Sequence, residues 1–179
     1  MATTKWILDP AHSELGFKIK HLMITTVNGS FSKFDVQTET DADNFAEAKV
    51  NAAIEVASIN TKNSQRDDHL RTADFFEAES HPNILFKSTN VEKIDDNNYS
   101  LVGDLTIREI SKPVKLAVEY NGIATDPWGN VKAGFSVNGK INRKDFGITY
   151  NAALESGGFM LGEEVKITGD IQLVKQSQN

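Results

Sequence analysis

Residues 57–86, ASINTKNSQRDDHLRTADFFEAESHPNILF, are the long interruption in a sequence otherwise patterned for strands. Val56 and Ile84, at its two edges, each belong to an alternating apolar run. Inside it, Ser64 and Asp67 fit the S-x-x-D capping pattern, in which side chains satisfy the orphan N–H groups of a first helical turn. Asp67 and Arg71 stand four apart, acid before base, the favourable order for a surface pair. Leu70, Ala73 and Phe76 make a short apolar stripe, and Pro82 prevents continuation because its nitrogen carries no hydrogen. So short a helix is marginal alone and needs an apolar surface to lie on. The segment is therefore expected to cap one end of a β-barrel, with Leu70, Phe75 and Phe76 gating access to its interior.

Working outward, both flanks read as strands. Towards the N-terminus, Val50, Ala52, Ile54 and Val56 alternate with polar or small residues, as a half-buried strand requires. Before them, Phe34 and Val36 fall on the opposite parity from Val27, Gly29 and Phe31, which predicts a bulge or tight bend near Ser32 and Lys33. Leu15, Phe17 and Ile19 form another strand, and Trp6-Ile7-Leu8 an extended start broken at Asp9-Pro10. Towards the C-terminus come Ile84 and Phe86, a turn at Asp95–Asn98, then Leu101, Gly103, Leu105 and Ile107. Val114, Leu116, Val118 and Tyr120 follow, and D-P-W-G-N at 126–130 is a strong turn signal. Phe135, Val137, Gly139 and Ile141 alternate next. The stretch from Asp145 to Gly162 is Gly-rich and irregular, and Val165, Ile167, Gly169, Ile171 and Leu173 close the chain with its cleanest alternation.

About eight strands result, and no further amphipathic helix exists to cover their apolar face, so the sheet must form a sandwich or close on itself. Gly29, Gly103, Gly139 and Gly169 all sit on the apolar parity. Glycines there either let strands coil and pack closely or leave room, since an eight-stranded barrel is just wide enough to fill itself or hold one small ligand. Both accounts favour a barrel, but only the second gives a cavity.

The 179 residues suit a single domain spanning 1–179, large enough to bury roughly 70% of its unfolded surface. There is no cysteine, hence no disulfide. With 19 basic against 25 acidic residues the net charge is −6, which disfavours a nucleic-acid partner. No apolar run approaches the roughly 20 residues of a membrane-spanning helix. The N-terminus lacks a basic segment followed by an apolar one, so a cytoplasmic location is expected.

The residues also resemble a known family. W-x-L-D-P-x-H-S (Trp6 to Ser13), G-F-K-I-K-H-L (Gly16 to Leu22), V-x-G-x-F (Val27 to Phe31) and S-I-N-T (Ser58 to Thr61) are similar to the YceI-like family. So are R-D-x-H-L-R (Arg66 to Arg71), D-F-F (Asp74 to Phe76), P-x-I-x-F (Pro82 to Phe86), L-T-I-R (Leu105 to Arg108), K-P-V (Lys112 to Val114) and I-N-R-x-D-F-G (Ile141 to Gly147). The resemblance covers nearly the whole chain in order. It implies a lipocalin-like antiparallel barrel whose apolar pore holds a long isoprenoid or similar lipid-like chain, with no defined catalytic set. Two departures stand out. Glu109 takes the place where the family usually carries glycine after L-T-I-R, and many members are exported whereas this chain shows no leader.

His12, His21, His69 and His81, with Asp9 and Asp67, match no recognised metal-ligand spacing, so no metal and no cofactor is expected. Asp9, His12 and Ser13 lie too close along one extended segment to converge as a triad, and no nucleophile elbow is present. Arg66, Asp67 and His69 read instead as polar residues that pin the helix to the barrel rim by charge-assisted hydrogen bonds, or that touch a ligand head group.

The expectation is an all-β, eight-stranded antiparallel lipocalin-like barrel with a short helical insertion at one rim. It would bind, without catalysis, a long-chain isoprenoid or fatty ligand. Phe17, Ile19, Phe31, Phe34, Phe86, Leu105, Leu116, Phe135 and Val137, with Leu70, Phe75 and Phe76 from the insertion, are the candidate lining. A small hydrolase using the rim His/Asp/Arg cluster, and a solid barrel serving in stress response or interaction, are the rival readings. A homodimer, if formed, would use side-chain faces or the 145–162 stretch, because a closed barrel has no free edge.

Overall fold

In the computed structural model, which describes residues 3–22, 24–151 and 160–176, the alternating runs pair into one antiparallel sheet that closes on itself. Its strand segments are β1 (Thr3–Leu8), β2 (Glu14–His21), β3 (Thr25–Phe31), β4 (Phe34–Asp41), β5 (Asn44–Glu55), β6 (Ile59–Asn60), β7 (Asn83–Lys93), β8 (Asn98–Ile107), β9 (Ile110–Thr125), β10 (Val131–Asn142) and β11 (Leu161–Lys175). They make eight staves, because three pairs of segments each follow one line. β1 and β2 both lie along β11, with Leu8 opposite Leu173 and Glu14 opposite Asp170. β3 and β4 run beside them, and β6 continues β5. Every stave pairs with the next in the chain, and β11 returns to the first, so the wall has no free edge.

The interruptions within staves match the sequence breaks. Asp9-Pro10 opens a 3₁₀ turn over Pro10–His12, and the Asp9 side chain accepts from the Ala11 N–H. At Ser32-Lys33 the chain bends between β3 and β4, which brings Phe31 and Phe34 to the same inner face despite their opposite parity. The turns at 95–98 and 126–130 form around Asp95 and Asp126, whose carboxylates accept backbone N–H groups two to four residues on.

Asp9 also fixes the stave break from the side. Its carboxylate accepts from Lys132 Nζ at 2.8 Å and lies 2.9 Å from His12 Nδ1, and the Asp9 and Lys132 side chains are 13% and 17% exposed. Lys132 first, against some desolvation, and then His12 hold the Asp9 carboxyl below its usual pKa. A depressed carboxyl stabilises the fold above its unfolded pKa near 4, and the contribution is lost as pH falls through the lower folded value. Asp9→Asn should therefore cost about 1–2 kcal/mol at neutral pH. In urea titrations at a series of pH values, the gap to the unmodified chain should narrow below about pH 4.

The β8–β9 connection is a two-residue turn in which Arg108 and Glu109 both have positive φ, 53° and 68°. Such a turn matches the twist of the flanking strands. It forms here without the glycine expected at position 109, at the steric cost of a side chain in the left-handed region. Glu109→Gly should raise stability by roughly 0.5–1 kcal/mol, the relieved strain less the added freedom of the unfolded chain. Thermal denaturation would read it.

The insertion differs from the sequence expectation in three respects. The helix α1 is short, Ser64–Leu70, and its cap is Asn63, whose side chain accepts from the Arg66 N–H at 3.0 Å. Asp67 turns away from the helix end to take the N–H and hydroxyl of Thr61. Arg71 accordingly pairs with Asp68, 2.9 Å away, and not with Asp67. Ala73 and Phe76 fall in the turns that follow. The helical ladder ends there because the Phe76 N–H bonds back to the Leu70 carbonyl, six residues before it and not four. The turns bring both rings onto the core, leaving Phe75 7% exposed and Phe76 packed against the same cluster. Of the irregular 145–162 stretch, Asp145 and Phe146 belong to a 3₁₀ turn over Arg143–Phe146, and residues 152–159 lie outside the described residues.

Candidate functional site

Side chains on the inner face of the staves line an apolar cavity of about 400 Å³, with members from Phe45 at one end to His69 at the other. The interior is therefore hollow, which does not fit the solid-barrel reading. Phe17 and Ile19 reach it from β2, Phe31 from β3, Phe34 from β4, Phe86 from β7, Leu105 from β8, Leu116 from β9, and Phe135 and Val137 from β10. Leu70 of α1 and Phe75 and Phe76 of the following turns complete the set. All the residues named from sequence as candidate lining thus stand in one wall.

The four glycines do less simple work than leaving empty space. Phe17 lies over Gly29, Phe86 over Gly103 and Leu116 over Gly139, each so closely that a methyl group on the glycine would collide with it. Leu15 sits beside Gly169 in the same way at ordinary contact distance. Glycine lets a large neighbour lie flat along the wall, so the bulky residues line the cavity without projecting across it. That packing combines the two accounts considered from sequence.

One end of the cavity is shut by an aromatic cluster. Phe45 stands at its centre, with ring centroids 5.1 Å from Trp6, 5.0 Å from Phe135 and 5.6 Å from Tyr120. Trp6 is fully buried, and its indole N–H donates to Thr40 Oγ1 at 3.0 Å. Sequence reading missed Phe45 for a physical reason. The β4–β5 register shifts between Glu39 and Asp41, so Phe45 faces inward on the opposite parity from Ala48, Val50 and Ala52.

The other end lies under the insertion. Phe75, His69 and Tyr150 form a three-ring group with centroids 4.9–5.1 Å apart, and Phe76 meets Phe31 edge-on at 6.3 Å. Arg66 and Asp67 both hold Thr61. The Arg66 Nη2 donates to the Thr61 carbonyl at 2.7 Å, and the Asp67 carboxylate accepts the Thr61 N–H at 2.9 Å. Arg71 donates to the carbonyls of Ala57 and Ile59. Arg108, from the β8–β9 turn, donates to the carbonyls of Phe75 and Gly147. Arginine suits this task because its fork satisfies several carbonyls at once. His69 pairs instead with Asp74, at 2.8 Å. Arg66 and His69 border the cavity, whereas Asp67 is buried behind the rim.

The other polar residues considered from sequence are engaged in separate contacts. Ser13 exchanges hydrogen bonds with Gln172, while Asp9 engages Lys132 and His12. Asp67 and His69 serve different partners. Among the described residues, no group of three His, Asp or Glu side chains could hold a metal ion. No described helix is long and apolar enough to cross a membrane.

Comparison with known proteins agrees with this geometry. The pattern of the YceI-like domain matches residues 6–173. A UPF0312 protein of Staphylococcus aureus (strain N315) is 44% identical over 164 residues, 91% of this chain and 93% of its own length. The crystal structure of the Campylobacter jejuni YCEI protein superposes with a TM-score of 0.74 at 36% identity, covering 95% of this chain and 97% of that one. A polyisoprenoid binding domain from Saccharophagus degradans shares the fold, with a TM-score of 0.67 at 12% identity over 96% of this chain and 98% of its own.

Proposed function

The chain belongs to the YceI-like domain family, and from that premise we propose that its barrel binds a single long apolar chain of isoprenoid or fatty type, without catalysis, for storage or carriage. The observation that carries this reading is the apolar cavity of about 400 Å³ between the Trp6–Phe45 cluster and the insertion. Its volume falls in the range of small-molecule sites. The inner residues of β10 from Phe135 to Ile141 cover roughly 15 Å along the barrel axis, given the strand rise and tilt. A chain threaded along that axis gains about 0.8 kcal/mol for each methylene buried. Association and ordering cost something like 4–15 kcal/mol, so a short tail binds weakly and a long one well. The polyisoprenoid-binding neighbour supports the same ligand class.

Native mass spectrometry of freshly purified protein, followed by organic extraction, tests the proposal. A stoichiometric adduct that extracts as a long-chain lipid is the expected result. Recovery of no lipid, with no uptake of added long-chain isoprenoid, would end the reading. For the hydrolase rival, the relevant result would be turnover that disappears in Asp67→Ala with His69→Ala while the extracted lipid stays unchanged.

A further inference from the structure

The polar character of the cavity is lopsided. Among the described residues its lining includes no Asp or Glu, while its basic members, His21, Arg66, His69 and Arg143, all belong to the insertion end. At the opposite end the polar lining is limited to Thr38 and Tyr99.

Arg143 is the member that sets this end apart. It is 4% exposed and stands in the cavity wall. Its Nε donates to the Gly162 carbonyl at 2.8 Å, and Nη1 to the carbonyls of Ile148 at 2.9 Å and Tyr150 at 2.8 Å. Nη2 is buried, with no hydrogen-bond partner among the described residues. The neighbouring acid, Glu163, is engaged with Lys144 at 2.6 Å. A guanidinium keeps its charge throughout the accessible pH range, and a buried donor left unsatisfied is costly. Carbonyl contacts to three backbone groups explain why Arg143 is placed there. They leave Nη2 without an acceptor, and the charge faces Glu163 only at a distance, with no hydrogen bond between the two.

We infer that the ligand carries an anionic oxygen head group, a carboxylate or a phosphate, seated at the insertion end against Arg143 Nη2, with its apolar tail directed towards Phe45. This rests on the chain-binding reading given above and adds the polarity of the ligand and its direction in the barrel. Nη2 is covered by its neighbours in the structure, so the acceptor reaches it by displacing a side chain. A single charged donor such as Nη2 suits either head group, since a charge-assisted hydrogen bond needs only one anionic oxygen.

The test compares three probes with the same isoprenoid tail: geranylgeraniol, geranylgeranoic acid and geranylgeranyl phosphate. The unmodified chain should hold at least one anionic probe about tenfold more tightly than the alcohol, as a charge-assisted hydrogen bond implies. The better of the two distinguishes carboxylate from phosphate. Arg143→Met should reduce that preference to about twofold or less. Arg66→Gln should retain it. Equal binding of all three probes overturns the head-group inference and leaves chain binding standing; binding of none removes both. A preference that persists in Arg143→Met also overturns it. Should that variant fail to fold, the side-chain ¹⁵N–¹H resonances of Arg143 in the unmodified chain decide. They should shift with the preferred anionic probe and not with the alcohol, and no shift with that probe refutes the contact.

Discussion

Val137→Trp should abolish long-chain uptake, lowering affinity by tenfold or more, while the barrel still folds. Val137 faces the middle of the lumen on β10, opposite Val118 on β9 and beside Gly169 on β11. Each of these partners is modest in size, so an indole placed there meets open space before it meets wall. It would occupy the volume a threaded chain needs, and each methylene denied burial removes about 0.8 kcal/mol of binding. Overpacking of a filled core typically costs 1–3 kcal/mol; in a hollow one the loss should fall at the low end of that range. Titration with a fluorescent isoprenoid, alongside a urea melt of the same sample, separates the two effects. Undiminished uptake would place the ligand elsewhere. A collapsed melt would mean that the lumen has less room than the cavity indicates.

Trp6→Ala should be the most damaging single truncation, lowering stability by about 3–5 kcal/mol, the range for a large buried aromatic. Trp6 is 0% exposed and anchors the cluster of Phe45, Phe135, Ala133 and Leu173 that seals the end remote from the insertion. Its loss removes the Phe45 ring contact at 5.1 Å and the indole hydrogen bond to Thr40. Thr40 retains a partner, the Ala42 carbonyl, so the cost is mainly the void. Because β1 bridges β4 and β11, that void also weakens the closure of the barrel. A large drop in the denaturation midpoint, with uptake preserved in the fraction that stays folded, is the expected pattern. A change under about 1 kcal/mol would show that the cluster collapses onto the gap.

The two ends of the barrel were unequally readable. Trp6 was visible as part of an extended start and of the W-x-L-D-P-x-H-S motif, neither of which shows its burial, and Phe45 not at all, because a register shift takes it off the parity of its strand. The glycines could be placed on the inner face by counting, but counting cannot say what lies over them. Phe17 and Gly29 are 12 residues apart in sequence and meet only because β2 and β3 pair in that register. Arg143 illustrates the same limit. In sequence it belongs to a motif ending at Gly147, yet its character comes from carbonyls at 148, 150 and 162 that fold around it and leave one nitrogen unpaired.

Alternation with period two, turn residues at the strand breaks and the absence of a second amphipathic helix were enough, from sequence alone, to require a sandwich or a closed wall with apolar residues inside, and the glycines on the apolar parity favoured the closed wall. These are local properties, set by the pleat and by the chemistry of individual turns. The tertiary structure decided whether the inside is filled, where the insertion's short helix stops, and which polar groups find partners. Those outcomes depend on the distances between side chains brought together from distant strands, and no pattern along the chain specifies them.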